Sequence, residues 1–341
     1  MSAILKGLVN LATNSNSMHT IEAYRSFFLD RIKQETLNRE PDNLYAPIRY
    51  IMNLGGKRLR PVLTLLTAEI FGASYKDALS AAIAIEVFHN FSLVHDDIMD
   101  AAPVRRGQPT VHEKWNTTTA ILSGDAMLIL AYQYFEDYEP KVFLALAKLF
   151  SRTALQVCEG QQWDIDFENS ENVLLKDYLK MIEYKTAVLV AAAMEMGAII
   201  ANASKEDCAA IYNFGLNLGI AFQIQDDYLD AFGNPENFGK QIGGDIIENK
   251  KTYLYLKALE FGSKSETVEL KKYFTAQNHG NQEKVEAVKM LFLSSGAAKE
   301  ALKGIEEYTQ KAFEILESIN IDADKKNILH QFGKNLMKRT V

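Results

Sequence analysis

Proline is scarce in this chain, with 7 in 341 residues, and the 19 glycines are no excess. So few breakers favour long helices over many short strands and turns. Cysteine is nearly absent. Cys158 and Cys208 lie fifty residues apart, with no Cys or His at ligand spacing, so neither a disulfide framework nor a thiolate metal site is expected; both read as buried free thiols. No basic tract exists, and 37 Lys and Arg against 44 Asp and Glu leave a net charge of −7. That balance argues against a nucleic-acid or anionic-membrane binder. No apolar run reaches the roughly 18–20 residues of a membrane span, so no stable membrane insertion is expected. The richest stretch, 187–200, is interrupted by Glu195. Residues 1–17 have no export-signal core with a cleavage site, so they read as a loosely ordered lead-in and the protein as cytoplasmic.

What remains is ordinary globular composition, 48% hydrophobic and 24% charged. The apolar pattern is helical nearly throughout. Ile48, Ile51 and Met52 recur at steps of three and four; so do Leu63, Leu66 and Ile70, then Ala81, Ala84, Ile85, Phe88 and Phe91. Breaks at 55–56, 72–74, 107–109, 138–140, 169–170, 202–204 and 233–235 mark off roughly ten helices. With no linker and no shift in composition, residues 18–341 read as one all-α domain.

Two segments are alike. Asp96, Asp97 and Asp100 form DDIMD; Asp226, Asp227 and Asp230 form DDYLD. Each ends a long apolar helix. On a helix the first and last Asp of such a motif stand on one face, about 6 Å apart. Three like charges on one turn repel, so stability alone does not favour the pattern. A hard cation resolves it, since magnesium takes carboxylate oxygens and leaves positions for water and phosphate. Cations with local glycines accompany the acids: Lys57 and Arg60 in GGKRLRP, Arg105 and Arg106 in RRGQPT, Lys185-Thr186, Lys240 between glycines, and Lys250. Arg supplies forks for bidentate contact and Lys supplies point charges, which suits a diphosphate held partly by metal and partly by cations.

In order along the chain stand GGKRLRP (55–61), LVHDDIMD (93–100), RRGQPT (105–110), GDAML (124–128), GQxxD (160–164), KTA (185–187), FQIQDDYLD (222–230), GKQIGGDI (239–246) and KKT (250–252). With these motifs the sequence resembles the trans-isoprenyl diphosphate synthases, the farnesyl/geranylgeranyl diphosphate synthase or polyprenyl synthetase family. The resemblance implies a type I isoprenoid synthase fold: long, mostly antiparallel helices around a deep central cavity, in a homodimer. It implies a prenyltransferase that adds isopentenyl diphosphate head-to-tail onto dimethylallyl, geranyl or farnesyl diphosphate. Three magnesium ions are implied, with Asp96 and Asp100 sharing two, Asp226 binding the third, and Asp97, Asp227 and Asp230 as outer ligands or orienters. The allylic diphosphate would also meet Arg105, Lys185, Thr186, Gln223, Lys240 and Lys250. Isopentenyl diphosphate would meet Lys57, Arg60, His89 and Arg106. Chain length would be set one to two turns before Asp96, at Phe88, Phe91 and Ser92. Phe91 followed by the small Ser92, with no insertion in the motif, is most similar to archaeal geranylgeranyl diphosphate synthases. A twenty-carbon product is therefore expected, with the fifteen-carbon product as the close alternative. A terpene cyclase or a non-catalytic subunit of the same fold fits less well.

Overall fold

A computed structural model describes residues 18–34, 39–170, 172–234, 242–275 and 281–338. The expected lead-in at 1–17 and Lys240 lie outside the described residues. The fold is all-α: among the described residues, fourteen α-helices have eight residues or more. That exceeds the ten expected because the carboxy-terminal part is cut into shorter helices. The described residues divide into two compact units, one holding those up to Arg152 and Ala192–Ala209, the other Thr153–Ala191 and those from Ala210 on.

In the first unit, α1 (Ile21–Gln34), α2 (Asp42–Asn53) and α3 (Leu59–Ile70) precede α4 (Leu79–Met99) and α5 (Thr117–Gln133). The predicted apolar stripes are the buried faces: Ile48, Leu63, Leu66, Ile70, Ala81, Ala84 and Ile85 are all 1% exposed or less. Burying one such Leu or Ile stabilises by about 1.5–3 kcal/mol. α5 starts where the Asn116 side chain accepts from the Thr119 N–H at 2.8 Å, and it packs along α4. Phe88 is in T-shaped contact with Phe150, as are Phe135 and Tyr132. With the turn before it, α4 spans Tyr75–Met99, long and apolar enough to cross a membrane by length and composition. Reading by uninterrupted runs missed this because Glu86, His89 and Asn90 break the run. Most of that span is buried.

Just after α4 lies a two-stranded hairpin, Val104–Arg105 with Gln108–Pro109, where the sequence suggested only a turn. Arg106 and Gly107 both have positive φ, 53° and 76°, as a tight primed turn requires.

The second unit continues α6 (Pro140–Asn169), which opens on a proline. α7 (Leu175–Ile182) runs through one π-helical turn, Glu183–Ala187, into α8 (Val188–Ile200), which from Ala192 on belongs to the first unit. α9 (Lys205–Phe232) carries the second aspartate motif. α10 (Tyr253–Phe261), α11 (Lys264–Thr275), α12 (Asn281–Ser294), α13 (Ala297–Ser318) and α14 (Ala323–Met337) complete it, with α10 packed on α13. Both cysteines are free thiols, but Cys158 is exposed on α6 rather than buried; Cys208 is buried.

Candidate active site

Each aspartate motif lies at the end of a long helix, within the last two turns of α4 or α9. A helix carboxy-terminus is already the negative end of the macrodipole, and cations are what stabilise it, by about 0.3–1 kcal/mol each at exposed positions. Carboxylates grouped there call for an external positive charge.

In the first unit Asp97 is 1% exposed, Asp96 is half-buried and Asp100 is exposed. Arg105 reaches back from the hairpin to grip Asp97. Its Nε lies 2.7 and 2.9 Å from the two carboxylate oxygens and its Nη2 lies 2.6 Å from Oδ1. The same Nη2 is 3.5 Å from Asp96 Oδ2. Burial pushes Asp97 above the ordinary carboxylate range and Arg105 pulls it part of the way back. Asp97 is thus held by Arg105 in this arrangement, while Asp96 and Asp100 stand nearer to solvent.

A second cluster forms where GGKRLRP joins α3. Arg58, with φ of 51°, is buried and paired with the equally buried Glu86; its Nη2 also donates to the carbonyls of Met52 and Leu54 at 2.5 and 2.6 Å. Arg60 Nη1 lies 3.1 Å from His89 Nε2. Burial, then Arg60 and Arg106, hold His89 far below its usual range. Neutral His89 therefore accepts at Nε2 from the arginine. Burial also pulls Arg60 down to about 10, so it stays charged near neutral pH. Its Nε is buried without a hydrogen-bond partner. Arg106 Nη1 lies 3.4 Å from the Leu54 carbonyl, over Gly56. Lys57 is exposed on the same loop. Arg60, His89 and Arg106 are thus brought together as a cationic group with donors to spare.

The second unit holds a pocket lined by Lys185, Thr186, Gln223, Asp227 and Lys250, with Asp164, Tyr178 and Asp245. Lys185 and Thr186 sit on the π turn, a departure from α-helix frequent at functional sites. α6 approaches that turn at Gly160, where an added Cβ would stand 2.2 Å from the Lys185 backbone nitrogen. Four residues on, Asp164 Oδ2 takes Lys185 Nζ at 2.5 Å. GQxxD and KTA are therefore one local structure. Thr186 donates to Gln223 at 3.3 Å, and Gln223 donates to Asp227 at 3.2 Å.

Asp227 is 6% exposed and also accepts from the Tyr178 hydroxyl and, at 3.2 Å, from the Tyr253 N–H. Burial and then the Asp245 carboxylate push it well above the usual carboxylate range. Asp230, 8% exposed, accepts from the Asp245 N–H at 3.1 Å. Asp226 is half-buried. Lys250 pairs with Glu248 at 2.9 Å; burial opposes its charge, but Glu248, Asp245 and Asp164 together raise it above the usual lysine value. Beside it Lys251 caps the end of α6, donating to the carbonyls of Phe167 and Glu168 at 2.6 and 3.2 Å.

Sequence reasoning did not assign Arg58, Tyr178, Asp164, Asp245 or Lys251. Arg58, Asp164, Asp245 and Lys251 lie inside the motifs that carry the resemblance, which is the signal that could have found them. Tyr178 is 49 residues from its partner and carried no such signal.

Among the described residues no three His, Cys, Asp or Glu side chains converge tightly enough to hold an ion by themselves. The donor set nevertheless suits a hard cation. All the candidate ligands are carboxylate oxygens at two helix ends, and such ions complete their shells with water and substrate phosphate.

Comparison with known proteins agrees with the motifs. The pattern that defines polyprenyl synthetases matches residues 41–291. A geranylgeranyl pyrophosphate synthase of Geoglobus acetivorans is 37% identical over 313 residues, 91% of this chain and 95% of that protein. A geranylfarnesyl diphosphate synthase of Natronomonas pharaonis is 40% identical over 256 residues, covering 70% and 75%. A crystal structure of a geranylgeranyl pyrophosphate synthase, 54% identical, superposes with a TM-score of 0.92 over 95% of this chain and 100% of its own. The chain belongs to the polyprenyl synthetase family and is a prenyltransferase.

Proposed function

We propose that this enzyme condenses isopentenyl diphosphate onto an allylic diphosphate and stops mainly at twenty carbons. The observation that carries the reaction is the presence, on one chain, of two aspartate-ended helices and of a cationic cluster that has an unspent, buried donor on Arg60. Arg60, Arg106 and Lys57 would bind the diphosphate of the nucleophile. His89 would orient Arg60 as a neutral acceptor. Lys185, Lys250 and Lys240 would hold the allylic diphosphate, helped by Thr186, Gln223 and Arg105.

Asp96, Asp100 and Asp226 would hold magnesium, three ions shared with that diphosphate, and Asp97, Asp227 and Asp230 would keep the helix ends in shape. Bound magnesium supplies electrostatic stabilisation of the charge that develops on the departing diphosphate. The allylic C–O bond breaks, the double bond of isopentenyl diphosphate attacks the resulting cation, and a proton passes from the new chain to the departing diphosphate. The apolar walls exclude the water that would quench the cation. Excess chelator is expected to abolish turnover, and magnesium to restore it; full turnover in chelator would overturn the metal assignment. Diphosphate release that requires both substrates separates this enzyme from a cyclase, which releases it from the allylic substrate alone, and from a non-catalytic subunit, which releases none.

Support for twenty carbons comes from α4 and from the relatives. Phe91 is 9% exposed and packs on Phe88 and His95, with ring centroids 5.4 and 4.8 Å away. Next to it stands Ser92, whose hydroxyl is turned back onto the His89 carbonyl at 2.8 Å. Phe88, 1% exposed, stands one turn before Phe91 and packs in the aromatic cluster. Phe91→Ala is expected to lengthen the product by one or more five-carbon units, read by chromatography of the dephosphorylated products. An unchanged product with a loss of about 3–5 kcal/mol would make Phe91 core. A main product of fifteen or twenty-five carbons from the unaltered enzyme would overturn the length and leave the reaction class standing.

The homodimer is supported by an exposed stripe on α5, where Ile121, Leu122 and Ile129 are 42%, 55% and 60% exposed. Apolar side chains grouped so on one helix face mark an interaction surface. Ile129→Asp should convert a dimer to monomer in sedimentation; a wild-type monomer would refute this part.

A further inference from the structure

Glu195 is the only charge in the apolar segment 187–200, and the proposed reaction makes no use of it. It lines a separate cavity of about 490 Å³ in the first unit, between the start of α6, the end of α8 and the start of α9. A volume of that order suits a small organic ligand. The floor is aliphatic, with Val142, Leu149 and Ile199. The rim carries Lys141, Lys148 and Arg152 from α6 and Lys205 from α9, with Glu195 as the one acidic residue of the lining.

The rim is not a scatter of surface lysines. Positions 141, 145, 148, 149 and 152 fall on one face of α6 at helical spacing, so cations and aliphatic floor alternate along a groove about 16 Å long. Lys148 and Arg152 are four residues apart, neighbours on that face at about 6 Å. Glu195, with a side chain 18% exposed, lies 3.6 Å from Arg152 and keeps the guanidinium over the cavity. Burial pushes Glu195 up and Arg152 draws it back. A cationic rim above an aliphatic floor selects one chemistry, an anion with a hydrocarbon tail. Four cations suit a multiply charged head, and Arg offers a fork to phosphate oxygens. One carboxylate, already engaged, leaves nothing with which to share a divalent ion.

We propose that this cavity is a second binding site for a prenyl diphosphate, the enzyme's own product, held by cations without magnesium. The identity of the ligand rests on the reaction proposed above; the site rests on the cavity alone. The test is equilibrium binding of geranylgeranyl diphosphate to the full chain in excess chelator, comparing the unaltered protein with Lys141→Glu/Lys148→Glu. Both lysines are exposed and outside the catalytic machinery, so turnover of the variant should stay within about twofold of normal. Two equivalents should bind, one of them in the catalytic site; the charge reversal should weaken the other at least tenfold, and its affinity should climb steadily from isopentenyl through farnesyl to geranylgeranyl diphosphate. Equal affinity in variant and unaltered protein would overturn the site. Inorganic diphosphate binding as tightly as the prenyl compounds would show a bare cation cluster and overturn the aliphatic part. Dodecyl phosphate binding as tightly would overturn the assignment to product. Because the readout is binding, a wrong product length changes the product analysis and leaves this result as it is.

Discussion

Asp96→Ala and Asp226→Ala are each expected to lower turnover by at least about 100-fold, a loss typical of removing one electrostatic contact to a transition state. The protein should stay folded. Both residues are half-buried within the last two turns of a helix, among other carboxylates. Removing one charge relieves repulsion among neighbouring carboxylates and, for Asp96 in the last turn, an unfavourable interaction with the macrodipole. A stability selected for its own sake would not keep these charges, whereas a site for magnesium diphosphate needs them. Initial rates with saturating substrates, alongside a thermal melt, check both halves. Near-normal turnover in either variant would make its motif a surface feature. Loss of turnover together with loss of fold would make it a structural one.

Arg58→Met is expected to act the other way, on stability first. The change leaves Glu86 charged and 2% exposed, with its partner gone, and frees the carbonyls of Met52 and Leu54. Breaking a buried pair by removing one member costs about 3–5 kcal/mol, because the remaining charge is uncompensated. Urea unfolding followed by circular dichroism should show the midpoint falling with little change in slope. Arg58→Met combined with Glu86→Leu should recover much of the loss. A single variant as stable as the unaltered protein would mean that the pair contributes nothing net. The result matters for function because Arg58 enters α3 two residues before Arg60, and its hold on the loop sets where the cationic cluster begins.

The all-α class was legible because few breakers and a three-to-four apolar period leave little alternative. Ile48, Leu63, Ala84 and Phe88 are buried as their spacing requires. The aspartate motifs were legible because crowding like charges on one turn needs an outside reason. The hairpin at Arg106–Gly107 was half legible: Gly after Arg marks a turn, but two-residue strands show no alternation. The π turn at Glu183–Ala187 was not legible, since the extra residue of a π turn is set by what packs against it, here α6 at Gly160. Cys158 was misread as buried because an apolar neighbourhood in sequence does not say which helix face meets solvent.

The sequence by itself determined the helical class, the two acidic helix ends, the cationic motifs and through them the family. Only the tertiary structure decided which charges are spent. Arg58 is consumed by Glu86 while Arg60, two residues away, keeps an unpartnered donor. Asp97 is gripped by Arg105, and Asp227 is held by Tyr178, Gln223 and the Tyr253 backbone. The reason is physical: a buried charge must find its partner in space, and the partner's distance along the chain, 28 residues for Arg58 and 49 for Asp227, leaves no trace in local spacing.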